Sequence, residues 1–394
     1  MNLPRTIDDF EEFVSSISRS GANFAKTFRL DVSDVGNTAQ FPIEEISRVQ
    51  ALLSWFRALS PADIGQILQI TELPGDADHV LATSMLGLVL IILGRSEFRP
   101  TDRKALRSIR NDYFEQLRSW PDLARMDTSF LICDDGYSKG LPAPLFNADR
   151  LLKNDKHFEQ FVPSMIGSVM AAEELTGVIE EQNPLLTTLL FELMKNTQDH
   201  ALFDAEGRAI ENSVRVFFSR FYPIENIAVV VNKKSSVPLA PHLAFIKSFQ
   251  SEGAATMRSQ TKKKFRGILE FSVLDSGPGF VGSWLRKQVD PQGDIDVEYR
   301  AVLECLRSGH STARNPNRGL GLTDVLRALR ALNGFIRIRT NRICLYRDFH
   351  MLPTTPLSET EAVLMDWQKG VSSKPSALGP VTGATVSVLI PVEA

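Results

Sequence analysis

The chain has 394 residues, 43% hydrophobic and 23% charged, the composition of a soluble globular protein too long for one ordinary core, so two domains are expected. A net charge of −3 argues against a generally polyanion-binding surface, and so against nucleic acid as the main partner, while leaving room for a local basic patch. Cys133, Cys305 and Cys344 lie far apart, form no metal-ligand spacing and are odd in number, which points to a reducing compartment.

The opening stretch, Met1–Phe13, carries acids and lacks the apolar run of a signal peptide. Apolar residues recur at helical spacing in Phe10–Ile17, Ile46–Leu59, Ile64–Leu68 and Leu106–Leu117. Asp9 and Ser60-Pro61 read as helix starts, Gly75 and Gly94 as stops. Val80–Leu93 is the most apolar stretch. It is shorter than the ~18 residues of a membrane span and predicts a buried core helix, so a cytoplasmic protein without membrane contact is expected. Asp134-Asp135-Gly136 and Pro142–Pro144 form a turn-rich segment suited to a linker. Residues 1–150 therefore predict a mainly helical domain. Its lone histidine before that segment, His79, belongs to no catalytic constellation, and its role stays open.

Beyond Phe158 helices alternate with strand-like runs at Arg215–Phe221, Ile227–Val231, Ile268–Leu274, Phe335–Arg339, Ile343–Tyr346 and Thr385–Ile390. Residues 151–394 read as a second domain carrying insertions at about 232–265 and 348–382. The first holds a helical pattern and the basic run Lys262-Lys263-Lys264, taken as a solvated face. The second is loop-like, with an amphipathic piece around Ala362–Trp367.

Four segments in this half carry candidate chemistry. In the first, Asn183 is a favourable N-cap and Pro184 suits the first helical position, so a helix is predicted to begin there. Leu185, Leu186, Leu189, Leu190 and Leu193 supply its buried stripe. Glu192, Asn196 and Asp199, spaced four and then three apart, stack on one face, where their oxygens suit Mg²⁺ and its waters. In the second, a strand runs into Asp275-Ser276-Gly277-Pro278-Gly279. Asp275 shares parity with Leu269, Phe271 and Val273, so a carboxylate is carried to a buried face, where a ligand amino group would satisfy it. In the third, Arg318-Gly319-Leu320-Gly321-Leu322 opens a helix that ends near Gly334. Free N–H groups at such a start favour phosphate, and Arg318 adds a cation. The fourth, Thr382 to Pro391, is a strand with Thr385 near its start. Singly, each has a plain structural meaning: a solvated helix face, a turn, a helix start and a strand.

In this order the four segments closely resemble the Bergerat ATP fold of the gyrase–chaperone–histidine kinase–MutL (GHKL) superfamily. Glu192-Leu193-Met194-Lys195-Asn196 with Asp199 looks like the N box of heat-shock chaperones and MutL-type ATPases, and Asp199-His200-Ala201 is similar to that of anti-sigma-factor kinases. The resemblance covers about half the chain, from Asn183 onward, and says nothing of residues 1–150. It implies an α+β protein: a mainly helical N-terminal domain, then an α/β sandwich with helices on one face of a mixed sheet. It also implies that Asn196 coordinates Mg²⁺, that Glu192 orients or deprotonates the attacking water, and that Asp275 reads the adenine amine with water-mediated help from Thr385. Gly277 and Gly279 would let the nucleotide approach, Gly319 and Gly321 would cradle phosphates with Leu320 and Leu322 beside them, and Ser308–Asn317 would be the lid.

Three functions fit this resemblance. The first is an ATPase whose cycle drives a conformational switch. The second is a histidine or serine kinase that phosphorylates a separate partner, and the third is an ATP sensor without turnover. A phosphoacceptor in cis is disfavoured, because His157-Phe158-Glu159 lies too near Glu192 for the usual helical hairpin and no His-Glu-x-x-x-Pro pattern is present. A protein partner or a homodimer would receive the output.

Overall fold

The computed structural model describes residues 3–27, 35, 39–59, 77–94, 100–119, 128–170, 172–210, 213–227, 238–255, 265–307, 321–351, 364–373 and 375–393. Helix α1 (Ile7–Thr27) starts just before the expected Asp9, because Thr6 and Asp9 cap each other: each side-chain oxygen accepts the other's N–H at 3.2 Å. Phe10, Phe13, Val14 and Ile17 form its buried stripe. Helix α2 (Glu44–Ala58) is buried nearly all round, since it lies between α1 and the sheet.

The apolar run Val80–Leu93 is two helices, α3 (Ala77–Thr83) and α4 (Met85–Leu93). Ser84 leaves the helical conformation and its hydroxyl accepts the Gly87 N–H at 3.0 Å, so a side-chain cap breaks a run that is apolar throughout. Gly94 ends α4 as expected. Among the described residues no helix is long and apolar enough to cross a membrane. Helix α5 (Pro100–Gln116) covers the Leu106–Leu117 pattern. The expectations at Ile64–Leu68, Ser60-Pro61, Gly75 and Lys262–Lys264 lie outside the described residues.

Seven strands form one sheet: β1 (Thr128–Asp134), β2 (Val214–Pro223), β3 (Phe265–Asp275), β4 (Phe335–Asn341), β5 (Ile343–Asp348), β6 (Met365–Asp366) and β7 (Val381–Glu393), in the order β1-β2-β3-β7-β4-β5-β6. Every described pairing is antiparallel, which corrects the expected mixed sheet. The crossover from β3 does bring β4 back in the same direction, but β7 slots between the two and runs against both, so no parallel pair forms. The expected strands at β2, β3, β4, β5 and β7 are present. Most of Ile227–Val231 lies outside the described residues, and the end of the expected amphipathic piece is strand β6.

Both faces of the sheet are covered. On the first face Ile268, Leu274, Phe335 and Leu389 share a core with α1, α2, α4 and α8 (Pro241–Ala255). On the second, Leu269, Phe271, Val273, Val386 and Val388 pack against α6 (Asp155–Val169), α7 (Ala172–His200), α10 (Ile295–Leu306) and α11 (Gly321–Ala331), with the short α9 (Gly279–Leu285) at the end of β3. The N-terminal half thus supplies an edge strand and, with α8, the layer over the first face.

Helix α7 corrects the start expected at Asn183. It runs unbroken from Ala172 through Pro184. Pro184 is exposed, the Asn183 amide donates to the Glu159 carbonyl at 3.2 Å instead of capping, and the upstream turns bury Val178 in the core shared with α6. That packing outweighs the roughly 3 kcal/mol that an interior proline costs a helix.

Candidate functional site

Helix α7 buries Leu186, Leu189, Leu190, Leu193 and Met194 against the sheet, which leaves Glu192, Asn196 and Asp199 half-buried along its flank. Glu192 faces the start of α11. A Cβ built on Gly321 would stand 2.5 Å from Glu192 Oε2, so the missing side chain is what lets the helix end meet the carboxylate. Burial pushes the Glu192 carboxyl above its ordinary range. Lys195, whose Nζ is 3.4 Å from Oε2, opposes that shift, while Asp324 and Asp199 add to it. Asn196, one turn further on, has no side-chain hydrogen-bond partner among the described residues.

The other end of α7 meets the Asp275 loop. Asp275 ends β3 with its side chain on the second face and 6% of its surface exposed. Burial raises its carboxyl to about 6, against the pull of the Gly277 N–H, the Arg215 charge and the Ala384 backbone. The Gly277 N–H donates to Oδ1 at 2.9 Å. A Cβ on Gly277 would come within 2.8 Å of Ala201 Cα, so the loop is pressed onto the residue that follows α7. Gly279 has φ +71, and a Cβ there would lie 2.5 Å from Thr340 Oγ1. Both glycines make room for protein, Gly277 for the end of α7 and Gly279 for the β4–β5 turn.

Thr385 does not join Asp275. In the β3–β7 register Thr385 pairs with Leu274 and Ala384 with Asp275. Directly opposed residues share a face, so Thr385 points to the first face, where its hydroxyl is buried without a partner among the described residues. The water-mediated role expected of it is therefore corrected: the side chain is one position out of phase. Leu322 is buried in the second-face core. Arg318, Gly319, Leu320 and the Ser308–Asn317 lid lie outside the described residues.

Two residues near Asp275 went unnoticed in the sequence. Arg215, in β2, is 2% exposed and forks onto Asp135 through Nε at 3.0 Å and Nη2 at 2.6 Å. An arginine inside the apolar run Val214–Phe218 was the available signal, because a charge buried there demands a partner. Asp135 belongs to the turn taken for a linker. A separate cleft of about 580 Å³ lies behind the loop, lined by Ser276, Gly277, Pro278, Lys287, Asn341 and Gly383 among others; Glu192, Asn196 and Asp275 do not line it.

Among the described residues no three His, Cys, Asp or Glu side chains are grouped to hold a metal by themselves. His157, the histidine weighed as an acceptor, begins α6 with its Nε2 2.7 Å from the Pro144 carbonyl oxygen. Comparison of the chain with protein-family models, with curated proteins and with solved structures gives no match.

Proposed function

We propose that the chain binds Mg-ATP along α7, between the Asp275 loop and the start of α11, and hydrolyses it as a conformational switch of the GHKL kind. One observation carries this reading: a single helix sets a half-buried carboxylate, Glu192, against the N-terminus of α11 and, two turns later, ends on the loop that holds Asp275. The first contact suits the phosphate end of a nucleotide, because the free N–H groups of a helix start favour anions. The second suits the base: a buried carboxylate accepts from an exocyclic amine.

The Asn196 amide oxygen, without a partner among the described residues, fits an oxygen-seeking cation. With no cluster of acids among the described residues to hold it alone, such an ion would take its other oxygens from phosphate and water. Mg²⁺ bound there would neutralise charge developing on the phosphates. Glu192, its proton affinity raised by burial, orients the attacking water and accepts its proton. Asp275 and Gly277 fix the base.

Incubation with γ-labelled ATP tests the reading, with free phosphate scored against labelled protein. Phosphate release supports the switch. Label on the chain or on a co-purified protein replaces it with the kinase reading, and neither product with intact binding leaves an ATP sensor. Asp275→Asn should weaken ATP binding by about 2–3 kcal/mol in a folded protein, since one partner of a buried, charged hydrogen bond is lost. Unchanged affinity by calorimetry would remove Asp275 from the site.

A further inference from the structure

A guanidinium at the second position of β2, 2% exposed, is far from solvent and would be costly alone. Asp135 meets Arg215 with the two-pronged contact described above, and the Phe146 ring lies 5.0 Å from its Cζ. Asp135 is anchored in turn: Ser213 Oγ is 3.0 Å from its Oδ2 and 3.1 Å from the carbonyl oxygen of Ala201, at the end of α7. Nη1 of Arg215 is buried without a partner among the described residues, so the charge is not fully spent on Asp135. The β2–β3 register sets Arg215 directly opposite Asp275 and therefore on the same face.

We propose that Asp135 and Arg215 are a positioning pair for the nucleotide site: they fix a buried cation beside Asp275 and keep its carboxyl in the anionic form that accepts a purine amino group. This rests on Asp275 being the residue that reads the base. The groups acting on Asp275 are the Gly277 N–H of its own loop, the Ala384 backbone of β7 and Arg215 of β2, and among these Arg215 supplies the full charge. Removing one partner would leave the other buried and unpaired, so the informative variant removes both.

The test compares full-length wild type, Arg215→Lys and the double variant Asp135→Asn/Arg215→Met. The readouts are ¹³C NMR of the Asp275 carboxyl without nucleotide, and ATP affinity by calorimetry across pH. In the double variant the carboxyl should titrate about one unit higher than in wild type. ATP affinity should fall about twofold at pH 7 and about tenfold below about pH 5, converging with wild type as pH rises, because the carboxylate then forms without help. Arg215→Lys should restore most of both. A folded double variant with unchanged carboxyl titration and a parallel affinity profile overturns the pair while leaving ATP binding standing. Wild type that binds no ATP overturns the nucleotide reading, and with it the role given to the pair, whatever the carboxyl does.

Discussion

Glu270 lies on the first face of the sheet and Glu192 on the helix that covers the second, and burial raises the proton affinity of both. Their surroundings differ. Glu270 accepts the Ile43 N–H at 3.0 Å, the Tyr222 hydroxyl at 3.0 Å and the Ser272 hydroxyl at 2.6 Å, so its oxygens are spent inside the fold. Among the described residues Glu192 has one long contact, to a lysine on its own helix, with Asp199 and Asp324 nearby. The cations divide less cleanly. On the first face Glu11 closes on Arg337 and Arg339, both fully buried. On the second, Arg215 Nη1 is buried without a partner among the described residues, but so is Arg337 Nε on the first. A carboxylate saturated by local donors, as Glu270 is, belongs to the architecture; one as little met as Glu192 is where a ligand would complete the set.

The largest effect should separate the faces by activity. Glu192→Ala should keep ATP binding yet lower phosphate release by ~10²–10⁴-fold, the usual contribution of a general base. A folded variant with normal turnover in a phosphate-release assay would place Glu192 with the architecture. Glu11→Ala should act the other way, through stability. It leaves two buried guanidinium groups without their carboxylate, a loss of about 3–5 kcal/mol readable in urea denaturation. A drop below about 1 kcal/mol, the worth of a surface ion pair, would show that the clasp is solvated in solution.

The first face should also carry a pH dependence of stability. Burial raises Glu44 to about 7, although its carboxylate accepts the Phe41 N–H. A folded value above the unfolded one means that its favourable contribution is complete below about 4.5 and is lost as pH rises through about 7, about 3 kcal/mol in all. Glu44→Gln should flatten that fall in denaturation curves taken on either side of the transition; an equally steep fall would put its cause in another group. The smallest effect sharpens the comparison most. Thr385→Val should leave ATP affinity unchanged and stability within about 0.5 kcal/mol, because the hydroxyl faces away from Asp275 and has no partner among the described residues. A clear loss of affinity would turn Thr385 toward the site.

What the sequence made legible follows how local each signal is. The stripe of α1 and the strands β2, β3, β4, β5 and β7 were readable because their side-chain periods are written in neighbouring residues. The stacking of Glu192, Asn196 and Asp199 was readable for the same reason. Asn183-Pro184 looked like a helix start by its capping chemistry, but the contacts of Val178 that extend α7 through it come from α6, which the local pattern cannot contain. Strand β1 is not legible inside a segment that reads as helix and linker, because the strand it pairs with, β2, lies some 80 to 90 positions away. Thr385 differs by phase: the irregular register of β7 around Gly383 sets Ala384 opposite Asp275, and a one-residue shift reverses the face. Sheet direction was misjudged because the insertion of β7 between β3 and β4 is a purely long-range event.

That insertion also sets an order of assembly. Strand β7 is the last described strand in the chain, yet it forms the seam between β3 and β4. On a ribosome, β1–β3 and β4–β6 would emerge as two half-sheets, each with an unpaired apolar edge, and the join between them would wait for residues 381–393. Such late, distant pairing slows folding and leaves both edges open to other chains, so this chain should depend on holdase chaperones during synthesis.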